Sequence, residues 1–185
     1  ITDRTKVIVI NSPSNPTGAM WPISRIREVA ELAVSKGIYI ISDEIYEKLV
    51  YDGEFISVAA LSPEIAKWTL TCNGMSKAYS MTGWRLGYAV GPDMAIDAIN
   101  RVHLYTVTCA TSFVQKAGIA ALVAGHEGVD AQHHDVLHPV GVGQIVGRRR
   151  QILQSQDPAQ PLVLPIIAGR QNDPAICAFK HRIGR

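Results

Sequence analysis

Short apolar runs alternate with longer amphipathic segments along the first two thirds of the chain. Residues 6–10 and 38–41 are apolar and rich in β-branched side chains, which predicts two buried strands. Between them, apolar residues recur at helical spacing over 23–34, with Pro22 suited to the first turn and Gly37 to the end. A strand, a helix and a strand in this order form a βαβ unit, so we expect the two strands to be parallel.

The alternation continues toward residue 124. Residues 68–72 and 86–92 predict a third and a fourth strand. Apolar spacing over 93–105 predicts a helix, and 112–124 predicts another, rich in small residues, which we expect to be well buried. These elements together indicate an α/β fold built on a mainly parallel sheet.

The pattern is lost after about residue 131. We therefore expect one domain over residues 1–131, followed by an atypical tail over 132–185 that is poorly ordered or aberrant. The tail holds His133, His134 and His138, but their spacing matches no usual ligand set, so we expect no metal site. Three arginines at 148–150 are too few to indicate a nucleic-acid partner.

Composition adds few constraints on function. With 185 residues, 47% of them hydrophobic and 18% charged, the chain can form a globular domain with a core. Three cysteines without metal-type spacing fit a reducing compartment. No apolar run is long enough to span a membrane, and the N-terminus lacks a signal-peptide layout, so we expect a cytoplasmic protein. The first residues begin as if taken from the middle of a longer chain.

Polar side chains follow three of the predicted strands. Asn15 lies in a loop rich in turn-forming residues after the first strand, Asp43 ends the second, and Lys77 follows the third. Tyr46 comes one helical turn after Asp43, and Arg85 comes eight residues after Lys77. Because strand carboxyl ends in such a sheet face one crevice, we expect these five side chains to converge there.

The lysine has two interpretations. Between two apolar strands, burial would disfavour its ammonium form and lower the pKa of Lys77, which suits Schiff-base chemistry. A solvated loop lysine is the alternative. An amine, an acid, an amide, a phenol and a guanidinium in one crevice do not form a hydrolytic Ser/His/Asp set, and they suit an anionic, aromatic cofactor with a carbonyl group.

Three motifs then indicate a family. They are SNPTG at 14–18, SDEIYEKLVYDG at 42–53 and NGMSKAYSMTGWRLGY at 73–88. In this order and spacing they resemble the class I, fold type I aminotransferases that depend on pyridoxal phosphate, in the aspartate and aromatic aminotransferase-like branch. The resemblance covers 1–131 and implies part of the large domain, a three-layer αβα structure with a mainly parallel sheet.

The resemblance implies a role for each matching residue. Lys77 would form the internal aldimine with pyridoxal 5′-phosphate and later move a proton between the substrate α-carbon and the cofactor. Asp43 would pair with the protonated pyridine nitrogen and keep the ring an electron sink. Asn15 and Tyr46 would hydrogen-bond the phenolic oxygen of the ring, and in this family the bond between the Asn and the Pro is often cis.

Two further residues would hold the phosphate. Arg85 would bind it in the bidentate way that a guanidinium favours, and Ser76 would add a hydroxyl. Gly74 is a departure, because relatives often have a hydroxyl for the phosphate at this position. A second departure is that no arginine after Gln132 sits in a recognisable version of the motif that grips the substrate carboxylate.

The resemblance implies transamination between an amino acid and a 2-oxo acid, like that of aspartate aminotransferase, and a homodimer. No nucleic-acid or membrane partner is expected. A different class of hypothesis is a truncated, non-catalytic remnant that binds the cofactor weakly or not at all, since parts of the family fold are missing from the sequence.

Overall fold

In a computed structural model, residues 1–124 and 166–170 are described. The strands are β1 (Val7–Asn11), β2 (Tyr39–Asp43), β3 (Thr69–Gly74), β4 (Gly87–Gly91) and β5 (Ile166–Arg170). The helices are α1 (Ile23–Ser35), α2 (Pro63–Ala66), α3 (Asp93–Thr106) and α4 (Ser112–Ala124). Short 3₁₀ helices cover Val58–Ala60 and Thr82–Trp84.

The strands form one mixed sheet in the order β1-β2-β3-β4-β5. β1 pairs with β2 and β2 with β3 in parallel, which confirms the predicted βαβ unit. β4 runs antiparallel to β3, and β5 runs parallel to β4. Because three of these four pairings are parallel, the predicted α/β class with a mainly parallel sheet is confirmed.

Helix α1 packs on the sheet through the apolar face that the sequence predicts. Ile26, Ala30 and Ala33 are buried, and they lie in one cluster with Ile10 of β1 and Ile40 of β2. The helix begins after Pro22 and ends at Ser35, followed by Gly37 with a φ of +64°. Glycine adopts this left-handed conformation at little cost, so the chain can turn sharply into β2.

Helix α2 and the 3₁₀ helix at Val58–Ala60 complete this first cluster. Val58, Leu61 and Ile65 are buried against the same sheet face. Ser62 caps α2, because its Oγ accepts a hydrogen bond from the Ile65 amide at 3.1 Å. Residues 58–65, for which the sequence pattern predicts no element, therefore form part of the core.

A second, smaller cluster lies beside the loop that joins β3 to β4. Its buried members are Met75, Leu86, Ala110 and Val114, of which Val114 belongs to α4. The prediction that α4 is well buried is wrong, because Phe113 is 64% exposed and Ile119 62%. Gly118 lets one side of the helix approach Leu86, and Val114 packs there, while other large apolar side chains of α4 such as Ile119 and Val123 stay exposed.

Within the predicted tail, residues 166–170 pair with β4 as β5. The histidines at 133, 134 and 138 and the arginines at 148–150 lie outside the described residues, so those interpretations and the boundary at 131 stay predictions. No helix among the described residues is both long enough and apolar enough to cross a membrane.

Candidate functional site

The site lies at the edge of the sheet where β1, β2 and β3 end. Asn11, Asp43 and Cys72 are register partners across these three strands, so the parallel strands finish side by side. β4 is antiparallel to β3, with Gly74 paired to Gly87. The loop 75–86 therefore leaves and re-enters the sheet at this same edge, and it carries both Lys77 and Arg85.

The loop after β1 presents Asn15 as an exposed side chain. Backbone bonds close the loop, from the Ser14 amide to the Ala19 carbonyl at 3.0 Å and from the Gly18 amide to the Ser14 carbonyl at 2.7 Å. Ser12 is buried and its Oγ accepts a hydrogen bond from the Trp21 amide at 3.0 Å. The Asn15–Pro16 peptide bond is cis, as the resemblance implies.

Tyr46, in the segment after β2, contacts the loop after β1 and the loop after β3. Asn15 Nδ2 donates a hydrogen bond to the Tyr46 hydroxyl at 3.2 Å. Lys77 Nζ lies 5.7 Å from the centroid of the Tyr46 ring, within the range of a cation–π contact. The structure thus brings together Asn15, Tyr46 and Lys77, as the positions of their strands predict.

Asp43 ends β2 and begins the turn that carries Tyr46. Its Oδ1 accepts a hydrogen bond from the Ile45 amide at 3.3 Å, which is a common role of aspartate at the start of a turn. The Glu47 amide then donates to the Glu44 carbonyl at 3.0 Å, and the Leu49 amide to the Tyr46 carbonyl at 2.9 Å. These consecutive turns replace the helical turn that the sequence suggests.

Lys77 lies in a tight turn rather than between the two strands. The Met75 amide donates to the Leu86 carbonyl at 3.1 Å, and the Ser80 amide donates to the Lys77 carbonyl at 3.2 Å. The side chain of Lys77 is half-buried, which lies between the two interpretations, so the choice between a buried and a solvated lysine stays a prediction. The turn lifts the lysine out of the sheet, while its neighbours Met75 and Ala78 are buried beneath it.

Arg85 and Ser76 share this loop with Lys77. Arg85 has a φ of +51°, a left-handed conformation that is strained for a residue with a β-carbon. Its Nη1 donates a hydrogen bond to the Thr82 carbonyl at 2.7 Å. Among residues 1–124, neither Arg85 nor Ser76 is hydrogen-bonded to Asn15, Tyr46 or Lys77, so the convergence of these two residues on the site stays a prediction.

The sequence reasoning missed Glu44, which is buried directly after Asp43. Burial raises the pKa of Glu44 to about 7, although hydrogen bonds from Ser42, Ser57 and the Val58 amide oppose the rise. Strand alternation could have revealed it, because Glu44 follows the buried Ile40 and Ser42 at intervals of two residues.

Other titratable groups near the site also favour their protonated forms. Burial, with the charges of Asp43 and Glu44, raises the pKa of the Cys72 thiol to about 11. Burial raises the pKa of Glu47 as well, and burial together with Glu47 raises the pKa of Tyr88. Cys72 is therefore a thiol rather than a thiolate near neutral pH, which makes it a poor nucleophile.

Steric crowding explains why a glycine occupies position 74. A β-carbon at this position would lie 2.9 Å from the Leu86 carbonyl oxygen and 3.3 Å from Cδ1 of Ile45. The hydroxyl residue that relatives often have here does not fit this backbone. Among the described residues, no group of three or more His, Cys, Asp or Glu side chains could hold a metal ion.

A lysine and a tyrosine lie at the carboxyl edge of a mainly parallel α/β sheet, with an asparagine bonded to the tyrosine, and this arrangement agrees with an aminotransferase-like class of protein. The family model described as "Aminotransferase class I and II" matches residues 1–138. The chain belongs to this family.

Individual relatives agree with this membership. The chain is 46% identical over 131 residues to an aspartate aminotransferase of Geobacillus stearothermophilus, covering 70% of this chain and 33% of that protein. It is 48% identical over 122 residues to an aspartate/prephenate aminotransferase of Thermus thermophilus, covering 66% and 31%. The chain thus spans about a third of the length of the curated relatives it matches.

Solved structures show the same fold. The aspartate aminotransferase of Thermus thermophilus with maleate superposes with a TM-score of 0.67 at 39% identity, covering 83% of this chain and 38% of that one. The aromatic aminotransferase of Pyrococcus horikoshii gives a TM-score of 0.68 at 33% identity, covering 83% and 39%. The expected three-layer αβα architecture of fold type I is therefore confirmed.

Proposed function

We propose that this chain forms part of an aminotransferase that moves an amino group between an amino acid and a 2-oxo acid, with pyridoxal 5′-phosphate as cofactor. One observation carries the proposal: Tyr46 contacts both Asn15 and the Lys77 amine. A reactive amine thereby lies beside an amide and a phenol, which are suited to hydrogen-bonding the ring oxygen of the cofactor. Because the relatives include aspartate aminotransferases, aspartate is the first amino donor to test.

The remaining side chains fit the other parts of the cofactor. Asp43 supplies a carboxylate for a protonated pyridine nitrogen, and Arg85 with Ser76 supplies donors for the phosphate. A guanidinium has five N–H donors, and the Arg85 bond to the Thr82 carbonyl uses one of them. When bound, the cofactor supplies an electron sink that stabilises negative charge on the substrate α-carbon.

Lys77 has two proposed tasks. Its Nζ would condense with the cofactor carbonyl, with loss of water. Once the substrate amine has displaced it, the free Nζ would accept the proton that leaves the substrate α-carbon. Tyr46 would hold both partners in place, since its ring lies 5.7 Å from Nζ and its hydroxyl accepts from Asn15. Asp43 would place its carboxyl group beside the ring nitrogen.

Covalent labelling tests the assignment of Lys77. The purified chain is incubated with pyridoxal 5′-phosphate, freed of excess, reduced with borohydride and mapped by peptide mass. We expect the label on Lys77, and its loss in Lys77→Arg, which keeps the positive charge but removes the condensing amine. Equal labelling of exposed lysines such as Lys67 in both proteins would contradict the proposal.

The alternative is a non-catalytic remnant that binds the cofactor weakly or not at all. Exposed apolar side chains such as Val9 and Phe113 favour it, because they suggest that the described residues alone do not complete the fold. The wild-type chain is loaded with pyridoxal 5′-phosphate, left unreduced and mixed with aspartate, and the 2-oxo acid and ammonia are measured. Formation of the 2-oxo acid supports transamination; a labelled Lys77 without product supports the remnant.

Homodimerisation and a cytoplasmic location belong to the same proposal. Sedimentation velocity of the cofactor-loaded chain checks the first, with a species of twice the monomer mass as the expected result.

A further inference from the structure

Glu44 lies in the protein core although its neighbours in sequence belong to the candidate site. The residue is 3% exposed, and it comes directly after Asp43 and two residues before Tyr46. Strand alternation places Glu44 on the side of the buried Ile40 and Ser42. The chain therefore turns away from β2 with a carboxylate directed into the core.

One oxygen of this carboxylate joins two separate segments. Glu44 Oε1 accepts hydrogen bonds from Ser42 Oγ at 2.8 Å, from Ser57 Oγ at 3.0 Å and from the Val58 amide at 3.1 Å. Ser42 belongs to β2, whereas Ser57 and Val58 begin the 3₁₀ helix that packs in the core cluster. Three donors on one buried oxygen hold the two segments at a fixed separation.

The segment that Glu44 anchors carries two of the proposed cofactor ligands. Asp43 precedes Glu44 directly and Tyr46 follows it by two residues. The Glu47 amide donates a hydrogen bond to the Glu44 carbonyl at 3.0 Å. A shift of Glu44 would therefore change the backbone that orients both side chains.

We propose that Glu44 is a positioning residue, which fastens residues 42–46 to Ser57 and Val58 and so sets the direction in which Asp43 and Tyr46 face the cofactor. The effect of this anchoring on the cofactor rests on the proposed function. The anchoring itself can be measured without cofactor, so the two can fail separately.

The first test uses Ser57→Ala, a mild change that removes one of the three donors and leaves Glu44 in place. The matched control is Thr69→Val, which removes another buried side-chain bond in the same sheet, from Thr69 Oγ1 to the Ile65 carbonyl at 2.8 Å. Amide hydrogen exchange of the full chain is followed at Ile45 and Glu47. We expect exchange there to be about tenfold faster in Ser57→Ala and unchanged in Thr69→Val.

The second test adds the cofactor and records the visible absorption band as a function of pH. Its midpoint reports the groups around the ring nitrogen and the ring oxygen, which are the proposed contacts of Asp43 and Tyr46. We expect Ser57→Ala and Glu44→Gln to shift this midpoint and to weaken cofactor binding by about tenfold. Thr69→Val should keep the wild-type midpoint and affinity even where it unfolds at lower urea concentration.

The outcomes separate the two proposals. Wild-type exchange rates at Ile45 and Glu47 in Ser57→Ala would overturn the anchoring, whatever the cofactor does. Faster exchange with an unchanged band would overturn the positioning role. Failure of the wild-type chain to label at Lys77 would overturn the proposed function, and the exchange result would still decide the anchoring. If Glu44→Gln does not fold, Ser57→Ala decides both tests.

Discussion

At the scale of single residues, Tyr46 has a geometric role more than an energetic one. Its hydroxyl accepts from Asn15 in an exposed position, where a hydrogen bond adds little to the free energy of folding. Its ring faces Lys77 Nζ at 5.7 Å. Tyr46 therefore links loops that follow different strands, and its contribution is to orient the side chains of Asn15 and Lys77.

Tyr46→Phe separates these two effects. Removal of the hydroxyl should change the free energy of unfolding by less than about 0.5 kcal/mol, because the bond is exposed. Cofactor binding should weaken about tenfold, since the ring oxygen of the cofactor would lose a donor. Urea denaturation and spectroscopic titration measure the two quantities. Tyr105→Phe is the control, because Tyr105 is 88% exposed and should alter neither.

Glu44 gives the chain a predicted dependence of stability on pH. Burial raises its pKa from the usual 4.5 to about 7, while Glu47 adds repulsion, and Cys72 and Tyr88 lie close enough to interact with its charge. The folded chain thus binds this proton more tightly than the unfolded chain. The stabilisation is fully present below about pH 4.5 and is lost as the pH rises through about 7.

Glu44→Gln removes this titration. Relative to the variant, the wild-type chain should lose roughly 3 kcal/mol of unfolding free energy across that window, since one pKa unit is worth about 1.4 kcal/mol. Urea denaturation at a series of pH values measures the difference, in which the shared contributions of other carboxyl groups cancel. Parallel pH profiles for the two proteins would show that Glu44 titrates normally.

Asn15, Tyr46 and Lys77 could be predicted to meet, because each follows a strand and parallel strands end at one edge. Strand alternation could have indicated that Glu44 faces inward, but its partners Ser57 and Val58 lie in a later segment, and no local pattern reports that contact. The half-buried state of Lys77 likewise depends on the turn that follows β3.

At the scale of elements, the chain approaches itself closely at Gly74, where β3 ends beside the start of β4. A β-carbon there would meet the Leu86 carbonyl oxygen at 2.9 Å, and backbone cannot move aside as a flexible side chain can. The glycine is therefore a requirement of the hairpin, independent of any role in phosphate binding.

Gly74→Ala should lower the free energy of unfolding by about 1–3 kcal/mol, the usual cost of overpacking a core. Gly83→Ala is the control, because nothing lies within 4 Å of a β-carbon there and its φ is not left-handed. Thermal and urea denaturation of both variants measure the difference. Equal stability of the two would mean that the hairpin opens without cost.

The longer helices were predictable because their apolar residues repeat over three or more turns. Helix α2, at Pro63–Ala66, is too short for such a repeat. The exposure of α4 escaped prediction because its composition is apolar on several sides, and composition does not say which sides find a partner.

At the scale of the whole molecule, one face of β1 is open. Val7 is 43% exposed and Val9 67%, while Ile10 on the opposite face is buried. β1 is also at the edge of the described sheet. An apolar edge strand invites pairing with another chain, so we expect the isolated chain to self-associate.

Val9→Lys should reduce this association without unfolding the protein. The change adds charge to an exposed edge, so the free energy of unfolding should move by less than about 0.5 kcal/mol. Ile10→Lys is the contrasting variant, because it buries a charge and should unfold the chain. Light scattering over a concentration series measures association. Undiminished scattering from Val9→Lys would mean that the self-association interface lies elsewhere.

The antiparallel pairing of β3 with β4 also bears on how the site is assembled during folding. Lys77 and Arg85 lie in the loop 75–86 that joins two neighbouring antiparallel strands, so closing it costs less chain entropy than closing a longer loop. The contact between Asn15 and Tyr46 spans a parallel βαβ crossover, which must close a much longer loop. The loop that carries Lys77 can therefore form early in folding from local contacts. The contact between Asn15 and Tyr46, which orients the site, forms only when distant strands of the sheet have paired.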